Sequence, residues 1–334
     1  MDKTNINILV LGVGGNVGQG IIKALRMSEL RITIFGACVS AHSAGLYLCD
    51  HAFICPLANH KDFSDWLIDT CNDNKIEGIL SGVEEVLEVL ALMHDQIEAN
   101  TSSKVIVADK AILDLCIDKL QTSRWLAAHQ FNTPMTCRGS DAEELQQLIS
   151  TVGFPLIAKP RRGKGSSGVY VLESEQDIKD EYLRDDYLIQ ECIGDVDHEY
   201  TVSTFSDCGH VVRGLIAFRR KLSSGTTVFA EVVDNEDLHT EVTNLVTSLK
   251  IIGPCNVQLR LRKGRPVTFE INARFSGTTP IRAALGFNDV DAAVRHLILG
   301  DNAVDLPVVS EGIALRLWHE VIVSPHKVAS MIGI

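Results

Sequence analysis

The sequence predicts an α/β chain, doubly wound at the N-terminal end and α+β in its C-terminal part. Its 334 residues are too many for one compact core, which suggests two or three domains. Short apolar runs alternate with helical patterns through roughly the first hundred residues, as in a parallel sheet covered on both faces. From Tyr187 onward strand patterns dominate, and they indicate a mixed, largely antiparallel sheet.

The chain opens with a predicted strand at residues 6–11, a glycine turn at 12–18 and a helix at 19–26. Backbone N–H groups at such a turn can bind an anion. A dinucleotide site normally adds an acidic residue after the second strand, where this chain has no acid in residues 36–40. The turn therefore favours close packing of strand and helix, or a substrate contact, over nicotinamide binding.

The remaining elements divide the chain into three parts. We expect domains at residues 1–110, 111–186 and 187–334. Further strands are predicted at residues 32–38, 76–81, 104–107, 155–159, 169–172, 188–192, 199–206, 211–218, 227–233, 256–260, 267–271 and 313–320. Further helices are predicted at residues 63–72, 84–98, 111–116, 119–129, 141–150, 238–249 and 289–299.

Composition excludes several classes of function. The net charge of −12 opposes association with a phosphate backbone, so we expect no nucleic acid partner. No segment approaches the roughly 20 apolar residues that span a bilayer, and no leader pattern is visible. The 9 cysteines are scattered without metal-ligand spacing, and we expect reduced thiols in a cytoplasmic protein.

A glycine-rich loop with clustered positive charge follows the predicted strand at residues 155–159. Lys159 closes that strand, and Arg161, Arg162 and Lys164 stand among glycines and serines in the next positions. Glycine lets the backbone approach phosphate oxygens closely, while Lys and Arg supply compensating charge. The loop therefore predicts a polyphosphate site, with a solvated hairpin tip as the alternative.

Polar side chains alternate along a predicted strand near the C-terminus. Alternation places Glu270, Asn272 and Arg274 on one face and turns Phe269 and Ile271 toward the core. A surface strand with its polar residues outward would show the same pattern.

The polar face has the chemistry of a magnesium site. Magnesium takes oxygen ligands, which Glu270 and the side-chain carbonyl of Asn272 can provide, and Gln258 on the preceding strand could add a third. Arg274 would then lie beside metal-bound phosphates and stabilise a transferred phosphoryl group.

The order of these motifs resembles the ATP-grasp fold over nearly the whole chain. The matching segments are Asp118 and Lys119, residues 154–160 with the glycine loop, residues 190–193, Gln258 and residues 270–274. The resemblance is to the synthetase units of the carbamoyl-phosphate synthetase large subunit and to stand-alone carboxylate–amine ligases. We expect no tandem duplication and no glutaminase region, so carbamoyl phosphate is a disfavoured product. The loop also lacks the longer glycine run of biotin carboxylase.

The resemblance implies roles for the nucleotide-binding residues. Residues 1–110 would be the Rossmann-like pre-ATP-grasp domain, 111–186 the lid subdomain and 187–334 the large subdomain. Lys119 and Lys159 would contact the nucleotide phosphates. The lid residues implied to cover the nucleotide are Gly163, Lys164, Gly165, Ser166, Ser167 and Gly168.

The resemblance also implies a hinge and a metal site. Glu191, Cys192 and Ile193 would form the hinge, with the Ile193 backbone at the adenine and either Glu191 or Glu199 at the ribose hydroxyls. The implied magnesium ligands are Gln258, Glu270 and Asn272, and the implied catalytic residues are Lys159 and Arg274.

The activity implied is an ATP-dependent ligation that needs Mg²⁺, for which Mn²⁺ is expected to substitute. A carboxylate would become an acyl phosphate, which an amine then attacks. Carboxyphosphate chemistry and ATP binding without turnover are the alternatives. The expected partners are small-molecule acids and amines, with a homodimer possible and no membrane contact. The stretch of Arg219, Arg220 and Lys221 and the later Arg282 supply candidate ligands for an acceptor carboxylate, with a solvated turn or helix surface as the alternative.

Overall fold

The computed structural model describes residues 5–163, 165, 167–194, 198–302 and 305–331. Its first part is a parallel sheet of five strands in the order β3-β2-β1-β4-β5. Helices cover the sheet, as the alternating pattern predicts. The elements are β1 (Ile6–Leu11), α1 (Asn16–Arg26), β2 (Ile32–Cys38), β3 (His51–Ile54), α2 (Phe63–Asp73), β4 (Gly78–Ser81), α3 (Glu84–Asn100) and β5 (Lys104–Ile106).

The glycine turn packs closely against the start of α1. A Cβ atom built at Gly18 would lie 2.5 Å from the Gly12 carbonyl oxygen. Only glycine fits there without movement of the backbone. This close approach confirms the packing role that the sequence predicts for the turn.

The second part contains a small antiparallel sheet in the order β6-β9-β7-β8. The expected boundary after residue 186 falls immediately before β9, which belongs to this sheet. The domain boundaries stay predictions. The elements are α4 (Lys110–Ile117), α5 (Lys119–Ala128), β6 (Thr136–Arg138), α6 (Ala142–Val152), β7 (Leu156–Pro160), β8 (Tyr170–Leu172) and β9 (Tyr187–Glu191).

The third part is built on an antiparallel sheet of six strands in the order β14-β13-β10-β11-β12-β15. The short β15 strand forms the edge beside β12. The elements are β10 (Glu199–Ser206), β11 (Val212–Ser223), β12 (Thr226–Val232), α7 (Glu236–Ser248), β13 (Gly253–Arg262), β14 (Arg265–Asn272), α8 (Thr279–Ala284), α9 (Asp289–Ala293), β15 (Ile313–Leu315) and α10 (Pro325–Met331).

One apolar core joins the first sheet to the third part of the chain. Ile21 and Leu25 of α1 belong to the same buried cluster as Phe275, Ala283 and Val290. Because this cluster packs α1 against α8 and α9, it fixes the start of α1 relative to the loop that follows β14.

Two further findings concern the expectations from composition. Within the described ranges, no helix has the length and apolar character needed to cross a membrane.

All 9 cysteines are free, and burial raises the pKa of the Cys116 and Cys137 thiols to about 12. These two thiols therefore stay protonated near neutral pH, and a protonated thiol is a poor nucleophile.

Candidate active site between two cavities

A cavity of about 240 Å³, here called cavity A, lies between the four-stranded and six-stranded sheets. Ten residues predicted for the site line it, namely Lys119, Lys159, Gly163, Gly165, Ser167, Glu191, Ile193, Glu199, Gln258 and Glu270. Gly168 and Cys192 are not on its wall. Lys164 and Ser166 lie outside the described residues. Asn272 and Arg274 line a neighbouring cavity instead.

Lys159 is the buried cation of cavity A. It leaves the apolar strand β7, as predicted, and is only 7% exposed. Its Nζ donates to Gln190 Oε1 at 2.8 Å and lies 5.6 Å from the centre of the Phe269 ring. Burial lowers the pKa of Lys159 to about 8, although the charge of Glu270 opposes that effect. The ammonium therefore sits in a site where an added anion would favour its charged form.

Lys119 provides a second cation at the edge of the same cavity. Its Nζ donates to the carbonyl oxygen of Gly163 at 2.7 Å, and its backbone N–H donates to the Arg161 carbonyl. The first residue of α5 is thus tied to the glycine loop at two points. Lys119 and Lys159 face cavity A from opposite elements.

The arginines of the glycine loop are not free to bind a phosphate as the sequence suggested. Arg161 forms an ion pair with the buried Asp118, and Arg162 pairs with Glu88 at 2.9 Å. Burial raises the pKa of Asp118, but the hydrogen bonds from Arg161 and Gln121 together with the charge of Arg161 hold the pKa below its usual value. The charge of the loop is therefore partly compensated by acids that are distant in sequence.

The loop tip rests on the turn between β11 and β12. A Cβ atom built at Gly225 would lie 2.4 Å from the carbonyl oxygen of Gly165. Gly225 also has a φ of 72°, in the region that favours glycine. These two glycines therefore bring the loop directly against this turn.

The predicted hinge residues lie at the other end of cavity A. Glu191 Oε1 pairs with Arg262 at 2.5 Å, and its Oε2 accepts from the Met135 backbone at 3.1 Å. The Ile193 carbonyl accepts from Arg260 at 3.0 Å. All of these groups are hydrogen-bonded within the protein, which holds the hinge in one conformation.

Glu199 is held by two arginines at the floor of the cavity. Its Oε1 accepts from Arg220 at 2.7 Å, and its Oε2 accepts from Arg260 at 3.3 Å. Glu199 pairs with Arg220 across β10 and β11 and with Arg260 across β10 and β13. Adjacent strand positions therefore create this cluster of charges, which sequence reasoning missed although strand alternation carried the signal.

Glu270 stands at the centre of the polar face, with both predicted amides bonded to it. Gln258 Nε2 donates to Glu270 Oε1 at 3.0 Å, and Asn272 Nδ2 donates to the same oxygen at 2.9 Å. Burial raises the pKa of Glu270, but the charges of Lys119, Lys159 and Arg274 and the bond from Asn272 hold the pKa below its ordinary value. The site thus keeps an ionised carboxylate between cations.

Phe269 does not turn toward the core, which corrects the prediction from strict alternation. Gln258 pairs with Glu270 and Leu259 pairs with Thr268, so Phe269 is an extra residue at a β-bulge. The bulge places both Phe269 and Glu270 on the wall of cavity A, while Ile271 is buried as predicted. Sequence pattern alone does not reveal a bulge.

A second cavity of about 330 Å³, here called cavity B, shares Gly165, Leu222, Gln258 and Glu270 with cavity A. It lies between the glycine turn of the first sheet and the six-stranded sheet. Its other lining residues are Gly15, Asn16, Val17, Gly18, Gly82, Val83, Arg220, Ser224, Gly225, Thr226, Thr227, Asn256, Asn272, Arg274, Ser276 and Gly277. Cavity B thus brings the glycine turn to the polar face of β14.

Arg274 lies on the wall of cavity B with a carboxylate partner. Its Nη2 donates to Glu84 at 2.7 Å, and its Nη1 donates to the Phe275 carbonyl at 3.0 Å. Glu84 begins helix α3, and no local pattern indicated that it would meet Arg274. This ion pair holds the guanidinium near Glu270.

The other cations considered for an acceptor site have different surroundings. Arg282 is fully buried and pairs with Asp289 at 2.5 Å, so it cannot reach a ligand and the suggestion is wrong. Arg219 pairs with Glu231 at 2.5 Å. Neither Arg219 nor Lys221 lines either cavity, whereas Arg220 between them lines cavity B.

Comparisons with known proteins identify the domains that the chain resembles. The model of the ATP-grasp domain matches residues 116–278, and that of the PylC-like N-terminal domain matches residues 8–109. The carbamoyl phosphate synthase large chain of Pseudothermotoga lettingae is 24% identical over 324 residues, 87% of this chain. A probable alpha-L-glutamate ligase of Xanthomonas oryzae pv. oryzae is 28% identical over 194 residues, 54% of this chain. The chain spans 28% and 64% of the length of these two relatives.

A solved structure shows the same fold over nearly all of the chain. N5-carboxyaminoimidazole synthetase from Staphylococcus aureus, complexed with ADP, matches with a TM-score of 0.76 at 12% identity. The match covers 95% of this chain and 84% of that one. Fold, motif order and family models agree, and the chain therefore belongs to the ATP-grasp family and has a PylC-like N-terminal domain.

Proposed function

We propose that the chain is an ATP- and magnesium-dependent ligase that joins a carboxylate to an amine through an acyl phosphate. One observation carries the proposal: Glu270 and Gln258 belong to the walls of both cavities. A nucleotide in cavity A and an acid in cavity B would meet at this shared wall. Transfer of a phosphoryl group requires that donor and acceptor be held next to each other. Two sites that adjoin at an ionised carboxylate meet this requirement.

Gln258 and Glu270 at the shared wall, with Asn272 of cavity B beside them, fit magnesium by their donor chemistry. Glu270 supplies a carboxylate that stays ionised, and the side chains of Gln258 and Asn272 carry amide oxygens. Magnesium prefers few protein carboxylates together with substrate phosphates. These three residues would hold the ion. When bound, the ion would act as a Lewis acid toward the phosphate oxygens.

The cations of cavity A suit the nucleotide phosphates. Among the described residues, the side chains of Lys119 and Lys159 donate to neutral oxygens, so each retains charge for a phosphate. In this reaction the terminal phosphoryl group of ATP passes to the substrate carboxylate and leaves ADP. The amine then displaces phosphate and forms the amide. Lys159 and Arg274 would stabilise the charge of the transferred group.

The remaining walls of cavity A would position the nucleotide and exclude water. The backbone of Ile193 would meet the adenine, and Glu191 or Glu199 would bind the ribose hydroxyls. Gly163, Gly165 and Ser167 would cover the phosphates from the lid. A closed lid protects an acyl phosphate from hydrolysis.

Relatives support this class of reaction. The probable alpha-L-glutamate ligase is named for joining an amino acid, and the Staphylococcus aureus structure holds ADP. The carbamoyl phosphate synthase relative keeps bicarbonate among the acids to be tested.

The test measures ADP release with a panel of carboxylic acids and bicarbonate, each with and without hydroxylamine. An acid that stimulates ADP release should yield its hydroxamate, because hydroxylamine intercepts an acyl phosphate. Stimulated ADP release without hydroxamate would exclude the acyl phosphate route. ADP binding with no turnover for any acid in the panel would favour an ATP-binding protein without ligase activity.

A further inference from the structure

The edge of the six-stranded sheet presents apolar side chains to solvent. Ile313 and Leu315 of β15 and Leu317 just after it are 62%, 75% and 73% exposed. An antiparallel sheet that faces water normally carries polar side chains at such alternate positions, and edge strands in particular use charged ones. A row of exposed apolar side chains on an edge strand therefore indicates an interaction surface.

The residues between these three hold the edge strand in place. Ala314 packs against the buried cluster that contains Phe287. The Arg316 side chain donates through Nη2 to the Gly277 carbonyl at 2.7 Å. The Arg316 backbone N–H donates to the Val228 carbonyl of β12 at 2.9 Å. Because the inner face of the segment is anchored in this way, the outer apolar side chains stand in an ordered, extended row.

The backbone of β15 is hydrogen-bonded on one side only. The N–H of Arg316 and the carbonyl of Gly312, which accepts from Val232, both point to β12. Alternation turns the N–H and C=O groups of Ile313 and Leu315 to the opposite side. Among the residues that the structure describes, these groups have no hydrogen-bond partner. The strand therefore offers a row of free donors and acceptors to a further strand.

This free side is complementary to a second copy of itself. When two copies pair antiparallel about a two-fold axis at Leu315, Ile313 of one copy lies opposite Leu317 of the other. Glu311 then lies opposite His319, whose ring N–H can donate to it. An axis one residue earlier would set Leu317 against Glu311, and one residue later would set Ile313 against His319. The register centred on Leu315 is therefore the one that matches apolar with apolar and polar with polar side chains.

We propose that β15 is a dimerisation strand, which pairs with β15 of a second copy of this chain and joins the two six-stranded sheets into one. The contact is closed, because a two-fold axis satisfies both free edges in a single interface. Leu315 of each copy meets its counterpart at the axis, with the apolar pairs on either side. No residue of β15 lines cavity A or cavity B, and the inference does not depend on the proposed function.

Sedimentation velocity of the full chain without nucleotide measures the oligomeric state. The chain of 36.6 kDa should sediment as a species of twice that mass, with a monomer fraction that grows on dilution. Leu315→Lys should weaken the dimer by about 100-fold, because it removes an apolar pair and sets like charges opposite each other. Leu92→Lys is the matched control, since Leu92 is an exposed leucine of helix α3, and it should leave the dimer unchanged.

Cysteine variants under mild oxidation test the register. They are made with Cys208→Ser, which removes an exposed native thiol. Leu315→Cys should form a disulfide-linked dimer, because two residues that face each other in a hydrogen-bonded pair have Cα atoms about 5.5 Å apart. Ile313→Cys alone should stay unlinked, whereas an equal mixture of Ile313→Cys and Leu317→Cys chains should cross-link. Cys208→Ser alone is the control and should give no linked dimer.

Several results would overturn the dimerisation role of β15. One is a wild-type chain that sediments as a monomer at every concentration, and another is a series of ever larger assemblies, since a two-fold contact closes at two copies. A dimer that Leu315→Lys leaves intact, or that Leu315→Cys does not cross-link, would place the contact on another surface. Self-linking of Ile313→Cys would contradict the register. Thermal unfolding checks the fold of each variant, and the cysteine variants decide the question if Leu315→Lys does not fold.

Discussion

Cavities A and B meet at Glu270 but compensate their positive charges in opposite ways. In cavity A, Lys119 and Lys159 donate to neutral oxygens of Gly163 and Gln190. In cavity B, Arg220 and Arg274 are paired with Glu199 and Glu84. Cations with neutral partners are stabilised when an anion arrives, whereas paired cations are already oriented. Cavity A is therefore built to gain negative charge, and cavity B to hold its arginines in fixed positions.

The largest effect is expected from Glu270, the carboxylate that lies on the walls of both cavities. Glu270→Gln removes a charge and little volume, and we expect turnover to fall by about 1,000-fold with the fold intact, as for a group that stabilises the reacting centre directly. ADP release at saturating Mg²⁺ is the measurement. Glu231→Gln is the control, because Glu231 lies in the same sheet but pairs with Arg219 away from both cavities. Equal activity of both variants would remove Glu270 from the site.

Lys159 donates to a neutral amide, whereas Arg162 is paired with Glu88. Comparing variants of the two tests whether the cation with the neutral partner is the one that serves the reaction. Lys159→Ala should lower ADP release by about 100-fold, because its charge acts in a desolvated site. Arg162→Ala should change it by no more than about twofold, since a surface ion pair with Glu88 contributes little. Steady-state rates of both variants decide the question. A larger loss of ADP release in Arg162→Ala than in Lys159→Ala would show that a neutral partner does not mark the functional cation.

Nucleotide affinity should depend on the protonation of Lys159. Burial lowers the pKa of this lysine to about 8, so it loses its charge as the pH rises through that value in the free protein. Bound phosphate favours the charged form, and ADP affinity should therefore fall above about pH 8 by up to roughly tenfold per pH unit. Calorimetric titration of ADP between pH 7 and pH 9.5 measures this. Lys159→Met should show a flatter profile, and an identical slope would assign the titration to another group.

The smallest effect concerns the contact between the lid and the β11–β12 turn. Gly225→Ala places a Cβ atom 2.4 Å from the Gly165 carbonyl, and we expect about a fivefold loss of the protection from proteolysis that ADP gives the lid. Gly264→Ala is a matched control, since its φ of 81° carries similar strain but no atom lies within 4 Å of the new Cβ. Similar behaviour of the two variants would assign the effect to backbone strain alone.

Much of cavity A could be predicted from the sequence because its residues lie in short, ordered motifs. Lys159 at the end of an apolar strand and Glu270 two residues before Asn272 carry their own local pattern. A strand fixes the direction of alternate side chains, so the face of Gln258 and Glu270 follows from spacing. The bulge at Phe269 interrupts that spacing, and it was therefore found only in the structure.

The partners of the charged residues could not be predicted, because ion pairs and side-chain hydrogen bonds join segments that are remote along the chain. Arg274 meets Glu84 at a separation of 190 residues, and Arg316 meets Asn16 at a separation of 300. Such contacts depend on how α1 and α3 pack against the six-stranded sheet. No local propensity encodes that packing.

Most of the succession of strands and helices, the family resemblance and the candidate site residues could be inferred from the amino-acid sequence alone. These features depend on local periodicity and on side-chain type. Three-dimensional packing set which cations are compensated, buried Arg282, and joined Arg316 to Asn16 and Gly277. Charge compensation acts over a few ångströms of space, wherever along the chain the two groups lie, so local sequence does not encode it.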